Sequence, residues 1–409
     1  MRPLGDIRVL SVTVFLAGPF LGMTLARFGA DVIKIEVPDG GDPIRSMGPF
    51  AGPDGVHPER QSDADISTRF LKRSEGVKSV TLNLKDPQGR QMFLDLARQA
   101  DVVIENLSPG SMTRLGLGFD DVAAANPGII YCSISGYGQT GPYKDLPAHD
   151  YQIQAMSGIM DMNGAADGPP TRVGLFVGDL VTPLYAAYSI LGALRERDRT
   201  GQGQHLDASM MDTLASLMFM ETIEDSVREG KSLRTGNDGR GDPTGLYRLT
   251  DGDIFITIGT EPRWHSLCTA IGADAVAANP RYATRADRAL HVAELRREIQ
   301  DRLGVLDRAT ATQLLADAGI PVAPVRPIAD VMDDAHFRDR GTLRPMYRAG
   351  ADQPVDGGVM AGFPVRFSGG ELPSLDGAPT LGAHNEAVYG DLLNLDAAAV
   401  AALKGKGVI

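Results

Sequence analysis

Residues 7–36, IRVLSVTVFLAGPFLGMTLARFGADVIKIE, decide the fold. IRVLSVT (7–13) is a short apolar run of strand type, and the GPFLGMTLARFG that follows reads as a loop and a helix. DVIKIE (31–36) is a second strand, and this β-α-β spacing predicts a parallel sheet with helices on its faces. The pattern continues outward. VTLNLK (80–85) is strand-like, and Asp86–Pro87 opens a helix over 88–99. DVVIEN (101–106) is another strand, a helix follows around 119–126, and GIIYCSIS (128–135) completes an α/β block. Between the second and third strands lies a polar loop, from Gly40, Gly41, Asp42, Pro43 and Arg45 through 52–67, too long for a simple connection. It is either functional or mobile.

The stretch TRVGLFVGDLVTPLYAAYSILGALRERDR (171–199) carries the most suggestive chemistry. Thr182 as cap and Pro183 at the first helical position predict a helix over 183–199, with apolar residues at Leu184, Ala187, Tyr188, Leu191 and Leu194. Just upstream, Gly174, Gly178 and Asp179 place a carboxylate in the turn that enters this helix. Backbone N–H groups there are expected to favour its ionised form. An aspartate in that place is most often a cap or turn residue, so a chemical role needs support from elsewhere.

The 409-residue length predicts two domains. After the second helix of this region, expected over 210–227, a glycine-rich break near 230 marks the candidate boundary. DGDIFITIGT (251–260) reads as a strand, 281–303 as a charged amphipathic helix, and the Pro-studded 318–331 as a linker. Short strands such as PVRFSG and a final helix close the chain. A formal charge of −12 argues against general nucleic-acid binding but leaves room for an anionic small ligand held by a few basic groups. Two cysteines, Cys132 and Cys268, give no disulfide framework and point to a reducing, cytoplasmic setting. The N-terminal apolar runs are confined by Asp6, Arg8, Arg27 and Asp31, so neither a membrane span nor a signal segment is expected.

Several chemistries are disfavoured. GYGQTG (136–141) matches the dinucleotide fingerprint, but Pro142 and Pro147 follow and no helix starts at its third glycine. No phosphate-binding P-loop and no GxSxG elbow occur, and the seven histidines show no metal-ligand spacing, so no metal site is expected. What remains is carboxylate chemistry: Asp150 beside His149, Asp179, and Glu261 in GTEPRW.

Over nearly its whole length the chain resembles the class III CoA-transferases (the CaiB/BaiF family), the group of formyl-CoA and carnitine CoA-transferases. The matching pieces are LAGPFLGMTLARFGADVIKIE, the GGDPIR loop, KSVTLNLKDPQGR, ADVVIENLSPGSMTRLGLG, IIYCSISGYGQTGP, QAMSG, VGDL and RTGQGQ, in the family's order. The resemblance implies an α/β fold with a large Rossmann-like domain and a smaller α/β domain, in an interlocked homodimer. The expected boundaries are 1–210 for the first part of the large, CoA-binding domain, 211–235 and 321–345 for linkers, 236–320 for the small domain and 346–409 for the return.

The resemblance also assigns roles. Asp179, in the GD motif, stands where the family's nucleophile stands. It implies attack on an acyl-CoA thioester, a mixed anhydride, an enzyme–CoA thioester and transfer of CoA to an acceptor acid. CoA is a co-substrate rather than a tightly bound cofactor, and is expected along Leu16–Ala17, Leu82, Asn83 and Lys85, and Asn106–Leu107, with Arg114 reaching a phosphate. Val37 departs from the arginine that formyl-CoA transferase carries for CoA. Gly236, Gly239 and Gly241 resemble the family's glycine loop. Arg45, Arg69 or Arg240 are candidates for pairing a second carboxylate of a dicarboxylic acid. The same fold contains 2-methylacyl-CoA racemases, which use a histidine at the place of His149 with the GD aspartate as an acid/base pair and a glutamate near Glu261. Transferase and racemase therefore stay open, the QAMSG and KIEVPDGGDPIR segments lying closer to the transferases.

Overall fold

The computed structural model describes residues 1–239 and 242–409, and the chain divides into two compact units. The first comprises residues 1–159, 173–221 and 335–409, and the second 160–172 and 222–334.

The first unit is built on six parallel strands, β1 (Arg8–Val12), β2 (Asp31–Glu36), β3 (Lys78–Thr81), β4 (Val102–Glu105), β5 (Ile130–Ser135) and β6 (Gln204–Ser209). Their order is β3-β2-β1-β4-β5-β6, the Rossmann arrangement in which the winding reverses between β1 and β4. Val9 pairs with Val32 and Val102, and Leu10 with Ile33 and Val103, all almost wholly buried. Helices cover both faces, which is why the central strands β1, β4 and β5 are buried almost throughout. On one face α1 (Ala17–Arg27) and α4 (Val177–Thr200) set Leu21, Leu25, Ile190 and Leu194 against Val9, Val32, Ile104 and Ile130. On the other, α2 (Pro87–Ala97) and the chain's end pack Phe93, Leu96, Tyr389 and Leu403 against Leu10, Ile33, Val80 and Val103. Each such Leu, Ile or Phe contributes about 1.5–3 kcal/mol by leaving water. The return is pinned to β3, where the Tyr389 hydroxyl donates to the Thr81 carbonyl at 2.7 Å.

The helix carrying Asp179 starts earlier than its cap signals predict. It begins at Val177, and Pro183 lies inside it. Thr182 does not cap; its buried hydroxyl has no hydrogen-bond partner among the described residues. The local signal misleads because the cap comes from α3 (Asp150–Ser157), distant in sequence, as described below. With length and composition enough to span a membrane, α4 instead turns Ala186, Ile190, Ala193 and Leu194 into the sheet's core.

Other differences are local. The long loop after β2 holds a small antiparallel sheet of Phe50–Gly52, Gly55–His57 and Ile66–Ser67. The helix expected over 210–227 is α5 (Met210–Met218) followed by a separate turn of helix, Glu224–Arg228. PVRFSG is not a strand; Val359–Ala361 pairs with Leu343–Pro345 instead.

In the second unit, Gly245–Leu249, Gly252–Ile256 and Val322–Pro324 form an antiparallel sheet, so the expected linker at 318–331 supplies a strand. Its core gathers Trp264, Leu267, Leu295, Ile299 and Leu315. The helix expected over 281–303 is interrupted at His291 into Arg285–Leu290 and Val292–Leu303.

Candidate active site

Where winding reverses, the loops after β1 and β4 part and leave a crevice beyond the strand ends. Asn106 ties the two loops together, its Oδ1 accepting from Val14 N at 2.8 Å and its Nδ2 donating to Val14 O at 2.9 Å. Next to it Phe15 holds a left-handed backbone (φ 65°), a strained state for a bulky residue. Asp42 Oδ1 accepts from its N–H at 3.1 Å and Arg73 donates to its carbonyl at 3.2 Å, which keep it there.

Asp179 and His149 line one cavity of about 560 Å³ together with Val14, Phe15, Asn106 and Arg114. Asp179 occupies the first turn of α4 and is partly buried. The expectation that helical N–H groups would favour its ionised form fails. The amides of Gly178 and Asp179 are taken by Asp150 Oδ1, at 2.7 and 3.2 Å. Burial first, then the charge of Asp150, push the Asp179 carboxyl up to about 6, with Arg73 opposing. Those two amides are therefore not free to stabilise an oxyanion either. His149 is exposed, and its backbone N–H donates to Gln152 Oε1 at 3.2 Å.

A second cavity, about 610 Å³, lies beyond β1, β2 and β3 and shares Val14 and Leu107 with the first. It is lined by Leu82, Asn83 and Lys85, and also by Val37, half exposed at its mouth. Leu16 and Ala17 are buried, and Ala17 borders the cavity of Asp179. Arg114 is exposed; it donates to Ser111 Oγ at 2.9 Å and forms no ion pair among the described residues. Glu261 lies in the second unit, opening the helix Glu261–Ala270, and pairs with Arg288, which lowers its pKa below the usual glutamate value.

The profile of CoA-transferase family III matches residues 4–385. The chain belongs to this family. It is 37% identical to the succinyl-CoA:mesaconate CoA-transferase of Haloarcula hispanica over 92% of this chain and 94% of that one. It is 35% identical to the acetyl-CoA:oxalate CoA-transferase of Acetobacter aceti, with 93% of each covered. Among solved structures, a CaiB/BaiF family protein from Brucella suis superposes with a TM-score of 0.82 at 33% identity, over 95% of this chain and 99% of that one.

This CoA-transferase also holds residues whose surroundings differ from what the sequence predicts. Arg45 is not available to a substrate: its Nε and Nη2 each donate to Glu36 at 2.7 Å, with the guanidinium 3.6 Å above the Phe70 ring. Arg69 donates to Gly48 O at 2.9 Å. Arg240 and Gly241 lie outside the described residues. Arg73, unsuspected from sequence, acts on Asp179 electrostatically and has no carboxylate in ion-pair contact among the described residues. Asp150, one of the carboxylates singled out in the sequence, holds the Gly178 and Asp179 amides. Glu105, the last residue of β4, was unsuspected as well. Its Oε2 accepts from Leu107 N at 2.8 Å, and burial pushes its carboxyl up to about 7. The adjoining Ser133 hydroxyl bonds His205 Nε2 at 3.0 Å. No sequence signal marks these groups, because contacts between distant segments create their environments.

Proposed function

We propose that this CoA-transferase moves CoA from an acyl-CoA to a small carboxylic acid by covalent catalysis at Asp179. Supporting this most directly is Asp179 itself, a carboxylate without a cationic ion-pair partner among the described residues, facing a cavity at the switch point. The Asp179 oxygen attacks the thioester carbonyl, the C–S bond breaks and CoA leaves as thiolate. The thiolate then attacks the aspartyl carbonyl, releasing the donor acid and forming a protein–CoA thioester. The acceptor carboxylate attacks that thioester, and the CoA thiolate it releases takes the acyl group from the resulting anhydride, regenerating Asp179.

The larger cavity by Leu82, Asn83 and Lys85 suits the nucleotide portion of CoA, and the shared Val14–Leu107 border suits a pantetheine arm directed toward Asp179. Arg114 stands where a phosphate is drawn by charge. Succinyl-CoA is a fitting donor and a small dicarboxylate a fitting acceptor, in keeping with the names of several relatives. Incubating the protein with succinyl-CoA and a panel of acids, followed by intact-mass analysis, tests the scheme. The expected result is CoA exchange and a hydroxylamine-sensitive adduct on Asp179. Exchange without any adduct, surviving Asp179→Ala, rejects it.

A racemase reading keeps one observation in its favour: His149 and Asp179 border the same cavity. Deuterium wash-in at the α-carbon of a 2-methylacyl-CoA, without an acceptor acid, would select it. We further propose a homodimer, supported by Leu184, Tyr188 and Leu191, large apolar side chains left exposed along α4. Light scattering coupled to size exclusion reads the mass. Cytoplasmic residence is proposed as well, in keeping with two buried free thiols.

A further inference from the structure

We infer that Asp150 is a positioning residue for the nucleophile: its carboxylate clamps the first turn of α4 and sets a fixed negative charge against Asp179, which favours the neutral, acylated forms of that side chain. The inference rests on the reading of Asp179 as nucleophile.

The clamp is built from segments distant in sequence. Asp150, at the start of α3, is only 2% exposed. Its Oδ1 takes the N–H groups of Gly178 and Asp179, and its Oδ2 accepts from Gln154 Nε2 at 2.5 Å. Gln154 is fully buried and ties down the approach to α4, donating to Leu175 O at 3.0 Å and accepting from Val173 N at 2.9 Å. The clamp packs closely on Gly178: a Cβ there would sit 3.0 Å from Asp150 Oδ1 and 3.2 Å from Met210 Cε, so these neighbours would have to give way slightly. Neither Asp150 nor Asp179 forms an ion pair with a described residue. A buried carboxylate whose donors are two amides and one carboxamide keeps its charge largely uncompensated toward its neighbour.

The chemical consequence follows from where charge goes. When an Asp179 oxygen attacks the thioester, the C–S bond breaks and the negative charge moves from that oxygen to the departing sulfur. When CoA thiolate then attacks the aspartyl carbonyl, the charge leaves with the donor carboxylate. Asp179 is neutral in both covalent states, so repulsion from Asp150 acts on the free carboxylate alone and is relieved by acylation. The amides at the head of α4, which would otherwise hold Asp179 anionic, are occupied by the same residue. The other charged or titratable groups around Asp179 are Arg73, which opposes Asp150, and the cavity residues Tyr137, His149, Lys144, Asp145 and Arg114.

The test is the titration of Asp179, followed by carbodiimide coupling at each pH and peptide mass analysis on the full-length protein without substrate. The wild-type midpoint is expected near 6. A midpoint near 4 in folded wild-type protein overturns the proposal without any variant. Asp150→Asn keeps an oxygen for the two amides and removes the charge. It is expected to lower both the labelling midpoint and the acid limb of kcat/KM by about one pH unit, and to reduce kcat/KM at neutral pH by at most roughly tenfold. Asp150→Glu is expected to restore the midpoint. An unmoved midpoint in folded Asp150→Asn leaves Asp150 a helix cap only and rejects the inference. Because labelling needs no turnover, it tests this coupling even if Asp179 proves not to be the nucleophile, an outcome read separately from Asp179→Ala.

Discussion

Two groups of buried charge, both in the first unit, behave in opposite ways. Beyond β1 and β2 the carboxylates are compensated. Lys34 meets Asp42 at 3.0 Å with both side chains almost wholly buried, and Glu36 takes two bonds from Arg45 and one from the Ser79 hydroxyl at 2.6 Å. Although burial opposes ionisation of Glu36, its partners hold its pKa below the ordinary value. At the head of α4, Asp150 accepts from the Asp179 backbone N–H, neither carboxylate has an ion-pair partner among the described residues, and the Asp179 carboxyl rises to about 6. A carboxylate is a structural tie in one place and the proposed nucleophile in the other. What differs is whether the fold supplies a partner for the charge.

The largest expected effect separates the two groups directly. Asp179→Ala should lower turnover by at least about 10³-fold while CoA still binds, as is usual for loss of a covalent nucleophile. Arg45→Met should do the reverse, leaving Glu36 buried and unpaired. It is expected to destabilise the fold by about 3–5 kcal/mol in chemical denaturation, and a loss under 1 kcal/mol would mean that the network is not the tie described.

The pH dependence sharpens the contrast. Glu36 has a lowered pKa, so its contribution to stability is present above the unfolded value of 4.5 and disappears as pH falls through its folded pKa. Asp179 has a raised pKa: folding disfavours its charge above about 6, and that penalty vanishes below the unfolded value of 3.8. Asp179→Asn should therefore stabilise the inactive protein by about 1–3 kcal/mol at pH 7.5, after allowance for solvent screening at a partly exposed site. The gain should fade as pH drops from 6 toward 4. An unchanged melting midpoint across this window would place Asp179 in an ordinary aqueous environment. The smallest effect is expected at Arg114, which is exposed: Arg114→Ala should raise KM for the acyl-CoA by about fivefold with little change in kcat.

Much of the fold was legible because burial on both sheet faces leaves its mark in the chain itself. The largely apolar runs of β1, β4 and β5, and the Val-Ile-x-Ile of β2, needed no tertiary information. The helix start at Pro183 was misread for the opposite reason, since the groups that satisfy the first turn of α4 belong to Asp150. The loop after β2 looked unstructured because its strands are two or three residues long, too short for alternation to register. Arg45 looked free because nothing in GGDPIR reveals that Glu36 faces it.

Sequence by itself determined the strand–helix alternation, the family, and the place of Asp179 in its GD motif, all of which depend on near neighbours or on motif order. Only the tertiary structure decided which charges are neutralised. Asp179 stands against Asp150 while Glu36 stands against Arg45, and electrostatic energy depends on distance and burial in space, which separation along the chain does not encode.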